Sequence, residues 1–234
     1  MLAIIKSMSL HGLDGYLVSI QVDISNGMPY FEIVGLPDIS VKESKERVKT
    51  AIRNSHIEFL SRRIVVNLSP ANTRKEGSMF DLPIAIGILV ANQNIINPNL
   101  EKLLEETIFI GELSLNGNIE RVNGILPICI EAKKLGIKKI ILPKQNAKEA
   151  TILKEIEILP ASNLKEVISY LNGKKEIPQE ESTDINLNSD AKYEVDFSEV
   201  KGQENAKRAL EVVASGGHNC LLIRLTGFRK NYVS

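Results

Sequence analysis

Asn67-Leu-Ser-Pro-Ala-Asn-Thr-Arg-Lys-Glu-Gly-Ser-Met-Phe-Asp-Leu-Pro-Ile-Ala85 carries the chain out of a strand, through a polar loop and into a helix. Arg63 to Leu68 is rich in β-branched residues and reads as the strand. Ser69 to Ser78 is polar and contains Pro70 and Gly77, which suits a loop. From about Asp81 to Asn92 the residues are apolar and read as a helix, with Pro83 tolerated in a first turn whose N–H groups have no helical acceptor.

The same alternation continues on both sides. Upstream, Tyr16 to Ser25 alternates as a strand, Asn26-Gly27 signals a hairpin turn and Tyr30 to Val34 supplies the expected return strand. Ser40-Val-Lys-Glu43 has the spacing of a capping box, and the helix it opens would place Val41, Ser44, Val48, Ala51 and Ile52 on one face. Downstream, Thr107 to Leu115 and Asn118 to Val122 predict a hairpin across Asn116-Gly117. Ile125 to Leu135 reads as a helix ended by Gly136, Lys139 to Leu142 as a strand, and Asn146 to Leu153 as a helix. Ile156 to Leu159 and Leu164 to Leu171 add a last strand and helix. Hairpins mixed with helical crossovers predict an α+β domain over residues 1–172, its mixed sheet covered by helices on one face.

Composition bounds the rest. The 234 residues hold 43% apolar side chains, and Lys plus Arg equals Asp plus Glu at 29 each, so bulk charge gives no reason to expect attraction to nucleic acid. The opening Met1-Leu-Ala-Ile-Ile-Lys6 lacks the form of a secretory leader, and no run has the length of a membrane span. Cys129 and Cys220 lie far apart in apolar surroundings, without metal-ligand spacing. A reduced, cytoplasmic protein is expected. Residues 173–194 are polar and charged with Pro178, the pattern of a flexible linker spanning roughly 25 Å.

Beyond that linker, residues 195–234 begin as an ATPase module begins. Asp196-Phe-Ser-Glu-Val-Lys-Gly-Gln203 precedes a helix-like Glu204 to Val213 and an apolar Cys220-Leu-Leu-Ile223. A phosphate-binding loop of the form G-x-x-x-x-G-K-[ST] should follow, because its backbone N–H groups, Lys and hydroxyl hold the phosphates and Mg²⁺. The chain instead reads Arg224-Leu-Thr-Gly-Phe-Arg-Lys-Asn231, where only Gly227 and Lys230 fit. Arg224 and Arg229 replace glycines, and Asn231 replaces the metal-binding hydroxyl. The codons GGT TCA GGA AAA ACT ATG TTA GC would complete the loop as Gly-Ser-Gly-Lys-Thr-Met-Leu-Ala. One T inserted after the first codon gives Gly-Phe-Arg-Lys-Asn-Tyr-Val-Ser, the residues 227–234. A frameshift, natural or introduced when the gene was read, is therefore expected, and resequencing that found no motor sequence in the neighbouring frame would contradict it.

Two stretches carry a family resemblance. Residues 67–85, together with Phe109-Ile-Gly-Glu-Leu-Ser-Leu-Asn-Gly-Asn-Ile-Glu-Arg-Val-Asn-Gly124, resemble the N-terminal domain of the ComM or YifB family of magnesium-chelatase-like AAA+ proteins. The linker and the Asp196 to Gln203 box fit the same family. The resemblance implies that residues 1–172 share the fold of the Lon protease proteolytic domain. It implies that a full-length parent is a hexameric ring ATPase that binds ATP and Mg²⁺, works with DNA and neighbouring ring subunits, and serves branch migration in natural transformation. Val200 and Gly202 would then touch adenine, and Gly227 and Lys230 would be remnants of the nucleotide site. No cofactor is expected in this chain itself.

The likeness to Lon raises a rival reading, a Ser-Lys protease, which needs a Ser nucleophile and a Lys able to take its proton. Aligned on the Lon motifs, Met79 falls at the nucleophile position and Leu126 at the base position, and neither can do the chemistry. Ser78 is one residue off, which at a helix start turns the side chain by about 100 degrees. No catalytic residue is therefore assigned. The candidate interaction loop is Thr73 to Ser78, where Arg74, Lys75 and Gly77 stand before a helix and could receive an anion. The plain alternative is a solvated loop in which Gly77 permits the turn and Glu76 pairs locally.

Other candidates point to little. Arg62-Arg63, Lys133-Lys134 and Lys138-Lys139 read as solvated rims or helix-end charges. No aromatic residue interleaves with them and the chain has no Trp, so base stacking is not expected. His11, His56 and His218 lack partners at ligand spacing. The leading expectation is a folded, non-catalytic accessory domain, a linker and an incomplete AAA+ start. The alternatives are an intact ATP-binding ATPase hidden by a frameshift, the protease, and a magnesium chelatase subunit, for which no residue points to porphyrin.

Overall fold

Leu2–His11 (β1) and Asp14–Ser25 (β2) form the centre of the main sheet, paired antiparallel from Leu2↔Asp23 to His11↔Asp14 across Gly12 and Leu13. Gly12 takes φ +64° in that turn, a conformation that a glycine adopts without a Cβ clash. The computed structural model describes residues 2–59, 62–152, 155–180 and 196–223. β2 bonds on its other edge to Arg63–Ser69 (β4), antiparallel from Ser19↔Ser69 to Ser25↔Arg63. Tyr30–Val34 (β3) is thus not the hairpin partner of β2 that the sequence predicts. It lies beyond β4 and parallel to it, from Tyr30↔Arg63 to Val34↔Asn67, at one edge of the sheet. Both edges of β2 are taken by longer partners, and the connection through Asn26 to Pro29 carries the chain past β4 instead of folding back.

The other half of the sheet is parallel. β1 meets Thr107–Phe109 (β5) at Lys6↔Ile108, and Lys139–Pro143 (β8) and Glu157–Ala161 (β9) follow in parallel, giving the order β3-β4-β2-β1-β5-β8-β9. Glu112–Leu113 (β6) and Ile119–Glu120 (β7) form a small separate hairpin around Asn116-Gly117, as the turn signal predicts, but Thr107–Phe109, expected in the same hairpin strand, belong to the main sheet.

The helices are Ile39–Asn54 (α1), Asp81–Ala91 (α2), Leu100–Glu106 (α3), Ile125–Lys134 (α4), Ala147–Ala150 (α5) and Leu164–Leu171 (α6). α1 buries the face that the periodicity predicts, Val41, Ser44, Val48, Ala51 and Ile52. Its cap is Asp38 and not Ser40: the Asp38 Oδ1 accepts from the Val41 N–H at 2.7 Å. α2 is buried at every position, and Gly87 lets it approach β2 so closely that a Cβ there would lie 2.6 Å from Val22 Cγ2.

The expectation of helices on one face is corrected. Ile141 and Leu159 belong to the core cluster that contains α1, α2 and α6, whereas Ile140, Leu142 and Ile158 belong to a second cluster with α4 and α5. Successive strand residues point to opposite faces, so the sheet is covered on both. Parallel strands need crossovers, and crossover helices produce this arrangement.

The first compact unit extends past α6. In the stretch expected as a linker, Ile177 is 4% exposed and the Glu180 N–H donates to the Ile158 carbonyl at 3.1 Å. Residues 173–180 therefore pack on this unit, because Ile177 supplies an apolar anchor amid polar neighbours. Residues 181–194 of that stretch lie outside the described residues. The second unit, described over 196–223, holds a short 3-10 turn at Phe197–Glu199 and the helix Glu204–Gly216 (α7). Val212, Leu221, Leu222 and Ile223 in it are exposed. Gly227 and Lys230 lie outside the described residues.

Candidate functional site

β4 delivers the chain to the loop 69–78, and the loop is closed from inside by Lys75. This side chain is 0% exposed, and its ammonium donates to the Thr73 carbonyl at 2.7 Å and also to the Pro70 carbonyl. The backbone of Lys75 is fixed as well. Its N–H donates to Leu36 O at 3.1 Å and its carbonyl accepts from the Asp38 N–H at 3.0 Å, tying the loop to the entrance of α1. Burial pushes the Lys75 ammonium below its usual range. Lys75 is therefore withdrawn from the anion-receiving surface proposed from sequence, because the carbonyls of its own loop satisfy it.

Arg74 points outward, pairs with Glu76 at 3.4 Å, and has its carbonyl held by the Tyr16 hydroxyl at 3.1 Å. Gly77 sits at φ +85° with open space where a Cβ would be, and its N–H reaches Asp38 Oδ2 at 3.4 Å. The loop thus has the features of the plain alternative, a local Arg74–Glu76 pair and a glycine that permits the turn.

Past the loop, Ser78 donates its hydroxyl to Glu112 Oε2. Met79 is half-buried against both core clusters, and Leu126 lies in the first turn of α4, where its N–H donates to Glu149 Oε1 at 3.2 Å. The hydroxyl next to the Lon-like position and the lysine nearest to it in sequence are thus engaged with different partners.

The most connected group at this corner is one the sequence did not single out. Asp81, 0% exposed at the start of α2, accepts from Arg47 Nε at 2.6 Å, from Arg47 Nη2 at 3.1 Å, from the Leu113 N–H at 3.1 Å and from the Ser44 hydroxyl. The fork of Arg47 matches the planar carboxylate, and its Nη2 also donates to Ser40 O at 3.0 Å. Burial pushes the Asp81 carboxyl up, while Arg47, Ser44 and the Leu113 N–H pull against that rise. Its hydrogen bond to Asp81 raises the Arg47 guanidinium above its ordinary value. With both carboxylate oxygens engaged by donors, Asp81 joins α1, α2 and β6 as a lock and has no free edge for acid–base work. The signal in the sequence was a serine on the buried face of α1 and an aspartate opening an otherwise apolar helix.

In the second unit, Val200 is half-buried with its carbonyl accepting from Lys207 Nζ at 3.3 Å, and Gly202 is exposed at φ +74°. Among the described residues no group of His, Cys, Asp and Glu could hold a metal, and no helix is long and apolar enough to cross a membrane.

The family profile described as "Subunit ChlI of Mg-chelatase" matches residues 20–146, and a second, "Magnesium chelatase, subunit ChlI", matches residues 196–234. The competence protein ComM of Haemophilus influenzae is 38% identical over 235 aligned residues, which cover 100% of this chain and 45% of that protein. The DNA repair protein RadA of Streptococcus pneumoniae is 43% identical over 60 residues, 26% of this chain and 14% of its own length. The Lon protease of Rhizobium meliloti is 25% identical over 169 residues, 67% of this chain and 20% of the protease. The mixed, helix-covered sheet accords with that last likeness. The chain thus spans under half the length of the competence protein that it matches from end to end.

Proposed function

The chain belongs to the magnesium-chelatase subunit ChlI family, and from that premise we propose that residues 1–180 are a non-proteolytic, Lon-like platform of a DNA-processing ATPase. In this reading residues 196–234 open the ATPase module of a longer, cytoplasmic, ring-forming protein, in which Val200 and Gly202 meet adenine and ATP is held with Mg²⁺. This chain turns over neither ATP nor peptide. Its phosphate-loop sequence keeps only Gly227 and Lys230 of the residues that seat a triphosphate.

The observation that best supports a platform is the state of Lys75. A lysine base needs a lone pair aimed at the nucleophile, whereas this ammonium donates to two carbonyls of its own loop and Ser78 donates to Glu112. Such a corner offers a fixed surface and no chemistry. The end-to-end likeness to a competence protein, and the shorter likeness to a DNA repair protein, support DNA as the partner. Gel mobility shift of the purified chain with single-stranded, duplex and forked DNA at low salt tests this. Retention of any of the three forms agrees with the reading, and failure to retain all three contradicts it.

A further inference from the structure

The sequence separates its aromatic residues from its basic pairs, but the fold does not. β3 at the sheet edge, α1 beside it and the start of β4 enclose an open cleft of about 250 Å³ lined by Tyr30, Phe31, Lys45, Lys49, Phe59 and Arg62. Lys45, Lys49 and Arg53 follow one another at four-residue spacing, so they form a stripe along α1. Arg53 stands 5.9 Å from the centre of the Phe59 ring, and Arg63 stands 5.9 Å from that of Tyr30. Phe31 and Phe59 are stacked at 6.4 Å, and Tyr30 is 50% exposed.

The acidic groups do not cancel this charge. Glu32 pairs with Lys45 at 3.5 Å and also accepts from the Tyr30 hydroxyl at 3.4 Å, while Glu46 stands on the rim and Glu58 precedes Phe59. Among the described residues no carboxylate pairs with Lys49 or Arg62. The two remain as cations lining the cleft together with the exposed Tyr30.

We infer that this cleft binds single-stranded nucleic acid, with a base stacked on Tyr30 and backbone phosphates held by Lys49 and Arg62. The inference rests on the DNA-processing reading above and locates the contact away from the 73–78 loop. Aromatic faces flanked by cations suit unpaired bases on a polyanion. A duplex keeps its bases stacked inside and offers only phosphates, so the aromatic surface selects the single strand.

The test is fluorescence anisotropy of a labelled oligothymidine with the whole chain and its variants, with circular dichroism to verify that each variant is folded. Tyr30→Ala should weaken binding about tenfold, and Tyr30→Phe should restore it, since the ring and not the hydroxyl does the stacking. Lys49→Ala with Arg62→Ala should weaken binding and flatten the log–log salt dependence by about 1.4, two phosphate contacts at roughly 0.7 each. Arg74→Ala should bind as the unaltered chain does. If the chain binds but the cleft variants match it, the cleft assignment fails while the DNA reading stands. If the chain binds neither single-stranded nor duplex DNA, both fall. Displacement of the oligothymidine by polyglutamate at equal charge concentration, unaffected by Tyr30→Ala, would identify an acidic-protein surface and overturn the inference.

Discussion

Asp81 and its donors are where single side chains matter most. Asp81→Ala would leave the half-buried Arg47 with only its longer 3.8 Å pair to Glu43, and the Ser44 hydroxyl and Leu113 N–H without the carboxylate they donate to. Removing one partner of a buried pair costs about 3–5 kcal/mol, so urea unfolding of this variant should show its midpoint fall sharply with little change in slope. Gly35 is held by backbone as firmly as Asp81 is by side chains. It takes φ +98°, and a Cβ there would meet the Leu68 carbonyl oxygen at 2.2 Å, so Gly35→Ala should destabilise by more than about 1 kcal/mol in the same assay. Burial, with a smaller push from Glu149, raises the Cys129 thiol to about 12, far above an assay at pH 8. Its thiolate fraction is then negligible, so a thiol reagent on the native chain should label the exposed Cys220 alone and reach Cys129 only after denaturation. At this scale the sequence disclosed faces but not partners. Helical periodicity placed Ser44 on the inner side of α1, yet its acceptor lies 37 residues away, and only the fold brings that carboxylate to it.

Among elements, the loop 69–78 depends on the Lys75 ammonium at its centre. Lys75→Met keeps much of the aliphatic bulk but removes the ammonium's hydrogen bonds to the Pro70 and Thr73 carbonyls, each worth about 1.5–3 kcal/mol as a bond to a charged group. Hydrogen exchange should therefore quicken over residues 70–78 before it changes in α2. The sequence marked this segment as a strand-to-helix passage from its polar run and Gly77, but could not tell an inward lysine from an outward arginine at adjacent positions. β3 taught a similar lesson. Its alternation and the Asn26-Gly27 signal suit a local hairpin, whereas pairing with β4 is decided by which edges remain open after β1 and β4 have taken both sides of β2. The cationic stripe of α1 was readable at its spacing. Its companions on β3 were not, because Tyr30 comes beside Arg63 at the start of β4 only through that non-local strand order.

For the whole molecule, strong local patterns made most of the alternation of strands and helices legible from residue 63 onward, with α3 at Leu100–Glu106 left unread, while burial of both sheet faces emerges only when the parallel strands stack side by side. The end of the first unit follows the same logic, since the buried Ile177 and the Glu180 N–H bond to Ile158 anchor a polar segment. A fragment ending at residue 180 should be more stable than one ending at 172 by about 1.5–3 kcal/mol, the burial of one isoleucine, as measured by chemical denaturation. That unit has the architecture of a protease relative with its nucleophile neighbour and its nearest lysine turned to internal hydrogen bonds. The direct measurement is hydrolysis of fluorogenic peptides by the purified chain beside its Ser78→Ala variant. Both should match the rate of buffer alone; turnover by the unaltered chain that Ser78→Ala abolishes would contradict a platform without peptidase chemistry.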